Sequence, residues 1–134
     1  MKRSVNWIHV SLYLLLLPLA VQSVVSGTAH AAVDDAKPYD EKLLRLSEIL
    51  GAVHFLRELC GADEGQRWRQ QMAELVEADG ATGVRRVRLT NSFNKGYRSY
   101  RRTYQGCTSA ARDQTARFLT EGAELAKSLA EPKP

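Results

Sequence analysis

The stretch from Glu41 to Gly61 constrains the rest of the chain more than any other. Plotted at 100° per residue, Leu46, Ile49, Leu50, Val53, Leu56 and Cys60 share one stripe, and Leu44, Phe55 and Leu59 lie opposite. A helix that is apolar on two faces has to be covered on two faces, so it belongs at the centre of its domain. Gly51 sits inside this helix, where glycine costs about 1 kcal/mol relative to alanine. Close approach of a second helix is the simplest compensation. Gly61 fits a C-terminal cap and places Cys60 in the last turn.

The N-terminus points to export. Lys2 and Arg3 precede an apolar run centred on Leu12 to Ala20, and small residues then lead to Ala29-His30-Ala31. A basic start, an apolar core and an A-x-A site are the three parts of a secretory signal peptide. Cleavage is expected after Ala31, so residues 1–31 form the signal peptide; the competing reading is an uncleaved anchor, since the run nearly spans a bilayer. The expected localisation is the periplasm. Residues 32–39, with Pro38, read as a flexible leader, 40–130 as one helical domain and 131–134 as a frayed tail.

Two cysteines, Cys60 and Cys107, remain after cleavage. An even pair in an exported chain is expected to form a disulfide, which would constrain the unfolded chain by roughly 3–4 kcal/mol. Neither cysteine belongs to a CxxC or a Cys/His cluster, so redox and metal chemistry are not indicated.

Three more helices follow. The second is expected over 63–78, capped by Asp63 and carrying Trp68, Met72, Leu75 and Val76 on one face. The third covers 84–105, where Leu89, Phe93, Tyr97, Tyr100 and Tyr104 form a stripe; Val84, Arg86 and Val87 break its register, and a kink near Thr90–Ser92 would resolve the conflict. The fourth runs over 109–130, capped by Thr108 or Ser109, with Ala111, Phe118, Gly122, Leu125 and Leu129 inward. No β-type alternation appears, so the fold class is all-α, a compact four-helix domain with one disulfide.

Charge is segregated along the chain. Residues 34–79 hold six basic and eleven acidic residues, whereas 84–117 hold nine basic residues and only Asp113 as an acid. Loss of Lys2 and Arg3 leaves a net charge of about +2.

The blocks Leu50-Gly51-Ala52-Val53-His54-Phe55-Leu56-Arg57-Glu58-Leu59-Cys60-Gly61 and Phe93-Asn94-Lys95-Gly96-Tyr97-Arg98, with Trp68-Arg69, Met72, Tyr104, Cys107-Thr108 and Glu121-Gly122, carry a resemblance. The chain resembles an uncharacterised family of short secreted alphaproteobacterial helical proteins with an LGxxHxLRxLCG motif. The resemblance implies a periplasmic helical protein with a disulfide and no catalytic residue to transfer.

Candidate sites are few. Arg57 lies about 20° from the centre of the first helix's stripe and needs a partner if buried; Glu121, at the edge of the fourth helix's stripe, is the candidate for a buried ion pair. His54, one turn earlier, could join Arg57 in holding an anion. No second histidine survives cleavage, so an imidazole zinc site is excluded; Cys60 is about 120° away around the helix, which is no Cys/His catalytic pair. No P-loop, GxSxG or HExxH is present. No metal and no cofactor is expected.

Arg98, Arg101 and Arg102, interleaved with the tyrosines, form a basic surface suited to carboxylates and phosphates. The expected function is that of a non-enzymatic periplasmic binding or adaptor protein, engaging through this surface an envelope protein, such as a cell-wall enzyme or its regulator, or an anionic cell-wall component. A small enzyme acting on peptidoglycan, using His54 and acids gathered by folding, is one alternative. A module on the surface of anionic lipid is another. Export argues against nucleic acid as a partner. Membrane contact is confined to the signal peptide before cleavage or to weak surface binding, and the oligomeric state is left open.

Overall fold

The computed structural model describes residues 36–131. The signal peptide expected over 1–31, the leader up to residue 35 and the tail beyond residue 131 lie outside the described residues. Four helices follow one another: α1 (Asp40–Leu59), α2 (Arg67–Ala78), α3 (Gly83–Thr103) and α4 (Ser109–Ala130). Among the described residues there is no strand, and no helix is long and apolar enough to cross a membrane.

α1 is the hub. It packs on α2, α3 and α4, and from Gly51 to Leu56 every residue is buried. Its apolar residues fall into two clusters along its length. Ile49, Val53 and Leu56 join Ala111 and Phe118 of α4, whereas Leu43 joins Met72 and Val76 of α2 and Leu89 and Phe93 of α3.

The glycine inside α1 has the expected purpose. α1 and α3 cross with their backbones in contact at two points: a Cβ at Gly51 would lie 1.9 Å from the Phe93 carbonyl oxygen, and one at Gly96 would lie 2.0 Å from that of Glu48. Ser92 Oγ donates to the Leu44 carbonyl oxygen at 2.7 Å across the same crossing. Two glycines thus remove the side chains that would hold the helices apart.

Helix ends follow local chemistry. After Leu59 the chain turns through Gly61 at φ +75°; Ala62 N–H bonds to the Arg57 carbonyl and Gly61 N–H to that of Glu58, a Schellman closure. α2 closes the same way at Gly80. Thr108 Oγ1 caps α4 by accepting from Ala111 N–H at 3.1 Å. The Cys60–Cys107 disulfide forms as expected, with the Cα atoms 4.9 Å apart, and ties the end of α1 to the start of α4. Its 47-residue separation corresponds to about 4 kcal/mol of unfolded-chain constraint.

Two local expectations are corrected. α2 begins at Arg67 rather than Asp63, which is exposed; Gly65 at φ +51° and the commitment of Glu64 to Arg57 hold this stretch out of the helix. α3 has no break at 90–92. It runs as one continuous helix from Gly83 to Thr103, with Val84 and Val87 in solvent at 72% and 56% exposure and Arg85, not Arg86, on the buried stripe.

Candidate functional site

Arg85 can be buried because three segments deliver acceptors to it. It is 5% exposed. Its Nε donates to Asp79 Oδ2 at 2.5 Å and its Nη2 to Asp79 Oδ1 at 2.9 Å, while Nη1 lies 2.6 Å from Asp40 Oδ1. Tyr39 Oη also donates to Asp79 Oδ1, at 3.1 Å. The Arg85 guanidinium holds the Asp79 carboxyl below its ordinary range despite burial. At Asp40, burial pushes upward, but hydrogen bonds from Arg85 and the Lys37 N–H win and lower it. This ion cluster fixes the start of α1, the end of α2 and the start of α3 at one point. No local pattern marks it in the sequence, where the wheel puts Arg86 rather than Arg85 on the stripe.

Arg57 and Glu121 do not pair. Glu121 accepts two bonds from Arg45, from Nε at 2.6 Å and Nη2 at 2.9 Å. α4 runs antiparallel to α1 and brings Gly122 against Ile49, so Glu121 is level with Arg45 and far short of Arg57. Arg57, half-buried at the last turn of α1, instead binds Glu64 in the following loop through Nε and Nη2. Trp68 Nε1 donates to the same carboxylate at 2.6 Å. The Arg57 and Trp68 hydrogen bonds lower the Glu64 pKa to about 2.

His54 is buried, at 5% exposure, and its Nε2 accepts from Arg69 Nε at 3.1 Å. Its ring lies 5.5 Å from that of Tyr97 and 6.0 Å from that of Phe93. Burial, reinforced by the Arg69 charge, lowers its pKa and keeps the imidazole neutral. His54 and Arg57 do border one polar cleft of about 180 Å³, together with Glu58, Glu64 and Trp68. Both side chains already have protein partners there. Cys60 is locked in the disulfide, and no group of three or more potential metal ligands occurs among the described residues.

The α3 tyrosines face the core from its edge. Tyr97 meets Phe55 edge to face at 5.6 Å, Tyr100 meets Phe118 edge to face at 5.0 Å, and Tyr100 and Tyr104 stack at 6.1 Å. The opposite side of α3 is basic. The helix carries seven arginines and lysines and no acid. Arg85 is neutralised by its cluster, and Lys95 pairs with Glu48 at 3.3 Å. Arg98, Arg101 and Arg102 are exposed and have no ion-pair partner among the described residues. Arg101 and Arg102 lie in the last turn, where the helix dipole favours cations, and Arg98 lies one turn earlier.

A family profile described as "Protein of unknown function (DUF2385)" matches residues 38–132. The chain belongs to this family. The match covers all four helices, so the glycine crossing, the disulfide and the basic face all lie inside the family's domain. No curated protein and no solved structure matches the chain.

Proposed function

We propose that this chain is a non-enzymatic binding or adaptor protein of the periplasm, and that the basic face of α3 engages an acidic component of the cell envelope, a cell-wall enzyme or its regulator. The observation that carries the reading is the charge of α3: seven basic residues and no acid, with Arg98, Arg101 and Arg102 exposed and lacking carboxylate partners among the described residues. Guanidinium groups on a rigid helix present forked donors that match carboxylate and phosphate. A dense one-sign patch also speeds encounter with an oppositely charged partner.

Export is supported by the basic start, apolar run and A-x-A site of residues 1–31, and by a disulfide that oxidising compartments favour. The narrower grouping, short secreted alphaproteobacterial proteins marked by the Leu50–Gly61 block, belongs to the same proposal. A binding role is favoured over hydrolysis of envelope material because His54 is committed to Arg69 and the sulfurs are committed to each other. Capture from a periplasmic extract tests the proposal. The wild-type protein should retain an acidic partner that an Arg98→Glu, Arg101→Glu, Arg102→Glu variant loses, and identical partner lists would refute the assignment.

A further inference from the structure

His54 joins two helices through a bond that a single proton can break. Its imidazole is buried, with the Phe93 and Tyr97 rings of α3 beside it. Nε2 accepts from Arg69 Nε of α2 at 3.1 Å, so the ring is neutral and carries its proton on Nδ1. The next proton can add only at Nε2, the atom that holds Arg69. Adding it turns the acceptor into a donor, breaks the bond and leaves two cations side by side with little water around them.

α2 depends on that bond because its anchors are unevenly placed. Its two buried residues, Met72 and Val76, both lie beyond the first turn, and its far end is held by Asp79 in the ion cluster with Arg85. Ahead of Met72, Arg67, Arg69, Gln70 and Gln71 are exposed. There, among the described residues, the half-buried Trp68 ring and two side-chain hydrogen bonds tie the helix to the rest of the chain. One is from Arg69 to His54; the other is from Trp68 to Glu64, which also binds Arg57.

Trp68 is a partition. It lines the polar cleft that holds His54, and it also lines an apolar groove of about 380 Å³ between α2 and α4, whose floor is Leu46, Ile49, Leu50 and Val53. If the start of α2 swings away from α1, the cleft and the groove become one opening and that floor gains access to solvent.

The groups facing His54 leave it as the part that responds. α2 presents Arg69, α3 presents Tyr97 and α1 presents Glu58 one turn on, while Arg57, Asp63 and Glu64 border the cleft. Burial and the Arg69 charge oppose a proton on the ring more strongly than Glu58 attracts one. Glu64, held at about 2 by Arg57 and Trp68, keeps its charge while His54 titrates. His54 is the only histidine among the described residues.

We infer that His54 is an acid-operated latch: its protonation frees the start of α2, from Arg67 to Gln71, while Met72, Val76 and Asp79 keep the rest of the helix in place. The latch is separate from the basic face of α3, so failure of one proposal leaves the other standing.

The test is hydrogen exchange on the purified, disulfide-bonded protein, with the His54 imidazole, identified by the signal lost in His54→Gln, titrated by NMR. Its midpoint should lie below 6.5. Below that midpoint the amides of Gln70 and Gln71, corrected for intrinsic rate, should exchange faster than at neutral pH, by about tenfold per unit of the gap. At either pH they should open ahead of the amides of Leu89 and Phe93, with helical circular dichroism retained. His54→Gln keeps an acceptor for Arg69 but does not titrate, so the pH response should vanish. Arg69→Ala, at an exposed position, should loosen Gln70 and Gln71 already at neutral pH and raise the His54 midpoint. A midpoint at or above 6.5 would overturn the inference. So would a response that survives in His54→Gln, or Gln70 and Gln71 amides that open only together with those of Leu89 and Phe93.

Discussion

Replacing Gly51 by alanine tests whether the α1/α3 crossing carries the fold. The added Cβ would sit 1.9 Å from the Phe93 carbonyl oxygen and 2.8 Å from its carbon. Ordinary contact begins near 3.4 Å, so the helices must separate by about 1.5 Å locally. The obstacle is backbone held in a helix, which cannot step aside as a side chain could. Separation loosens Leu89, Phe93 and Ala52, which pack between the two helices. Overpacking of this kind costs about 1–3 kcal/mol or more, and the higher helix propensity of alanine returns about 1 kcal/mol. The crossing should fall at the upper end of that range, leaving a net loss of roughly 2 kcal/mol. For a domain of this size that lowers Tm by roughly 8–16 °C. Gly96→Ala meets Glu48 in the same manner and should cost about as much. The double variant should cost clearly less than the sum, because helices already parted by one Cβ have room for the second. Gly122→Ala is the control. Its Cβ would meet a side-chain methyl, Ile49 Cγ2, at 3.3 Å, and the change should be near neutral. Thermal and urea unfolding followed by circular dichroism read all four variants. Gly51→Ala as stable as wild type, or strictly additive losses in the double variant, would refute the reasoning.

Two further outcomes follow from the buried charges. Arg85→Met leaves Asp79 and Asp40 without their guanidinium and should lower stability by roughly 3–5 kcal/mol at pH 7. Both carboxyls are held below their ordinary range in the wild type, so its stability from them is present above that range and lost as pH falls through the lowered folded values; the deficit of the variant should shrink in urea titrations taken from about pH 5 to below pH 3. The imidazole of His54 is held below its ordinary value of 6.5, so its contribution is present above that pH and lost as pH falls through the folded value. His54→Gln, which keeps an acceptor for Arg69, should flatten the stability profile between about pH 7 and 5, and an unchanged profile would contradict the burial argument.

The four helices, the capping of α4 by Thr108, the disulfide and the reason for Gly51 were all legible in the residues, because each depends on neighbours within a few positions or on a single pairing. The failures share a different cause. A helical wheel gives the direction of a side chain but not the level at which a partner helix passes it. Arg57 therefore pointed plausibly towards α4, whereas the antiparallel register puts Glu121 beside Arg45. The apparent kink in α3 failed for a related reason. The wheel puts Arg86 on the stripe and Arg85 at its flank, because Asp40 and Asp79, which bury Arg85 instead, are remote in sequence and unseen. The Gly65 turn, which delays α2, involves Glu64 binding backwards to Arg57 and likewise has no local signature.

The same wheel applied to α1, now with its partners known, separates the basic face of α3 from the groove between α2 and α4. Leu44, Glu48, Gly51 and Phe55 centre on the side that meets α3, while Leu46, Ile49, Leu50 and Val53 centre nearly 180° away on the groove floor. On α3, Arg98 and Arg102 point away from α1 because Gly96 and Phe93 face it. The basic face and the groove are thus on opposite sides of one rigid central helix.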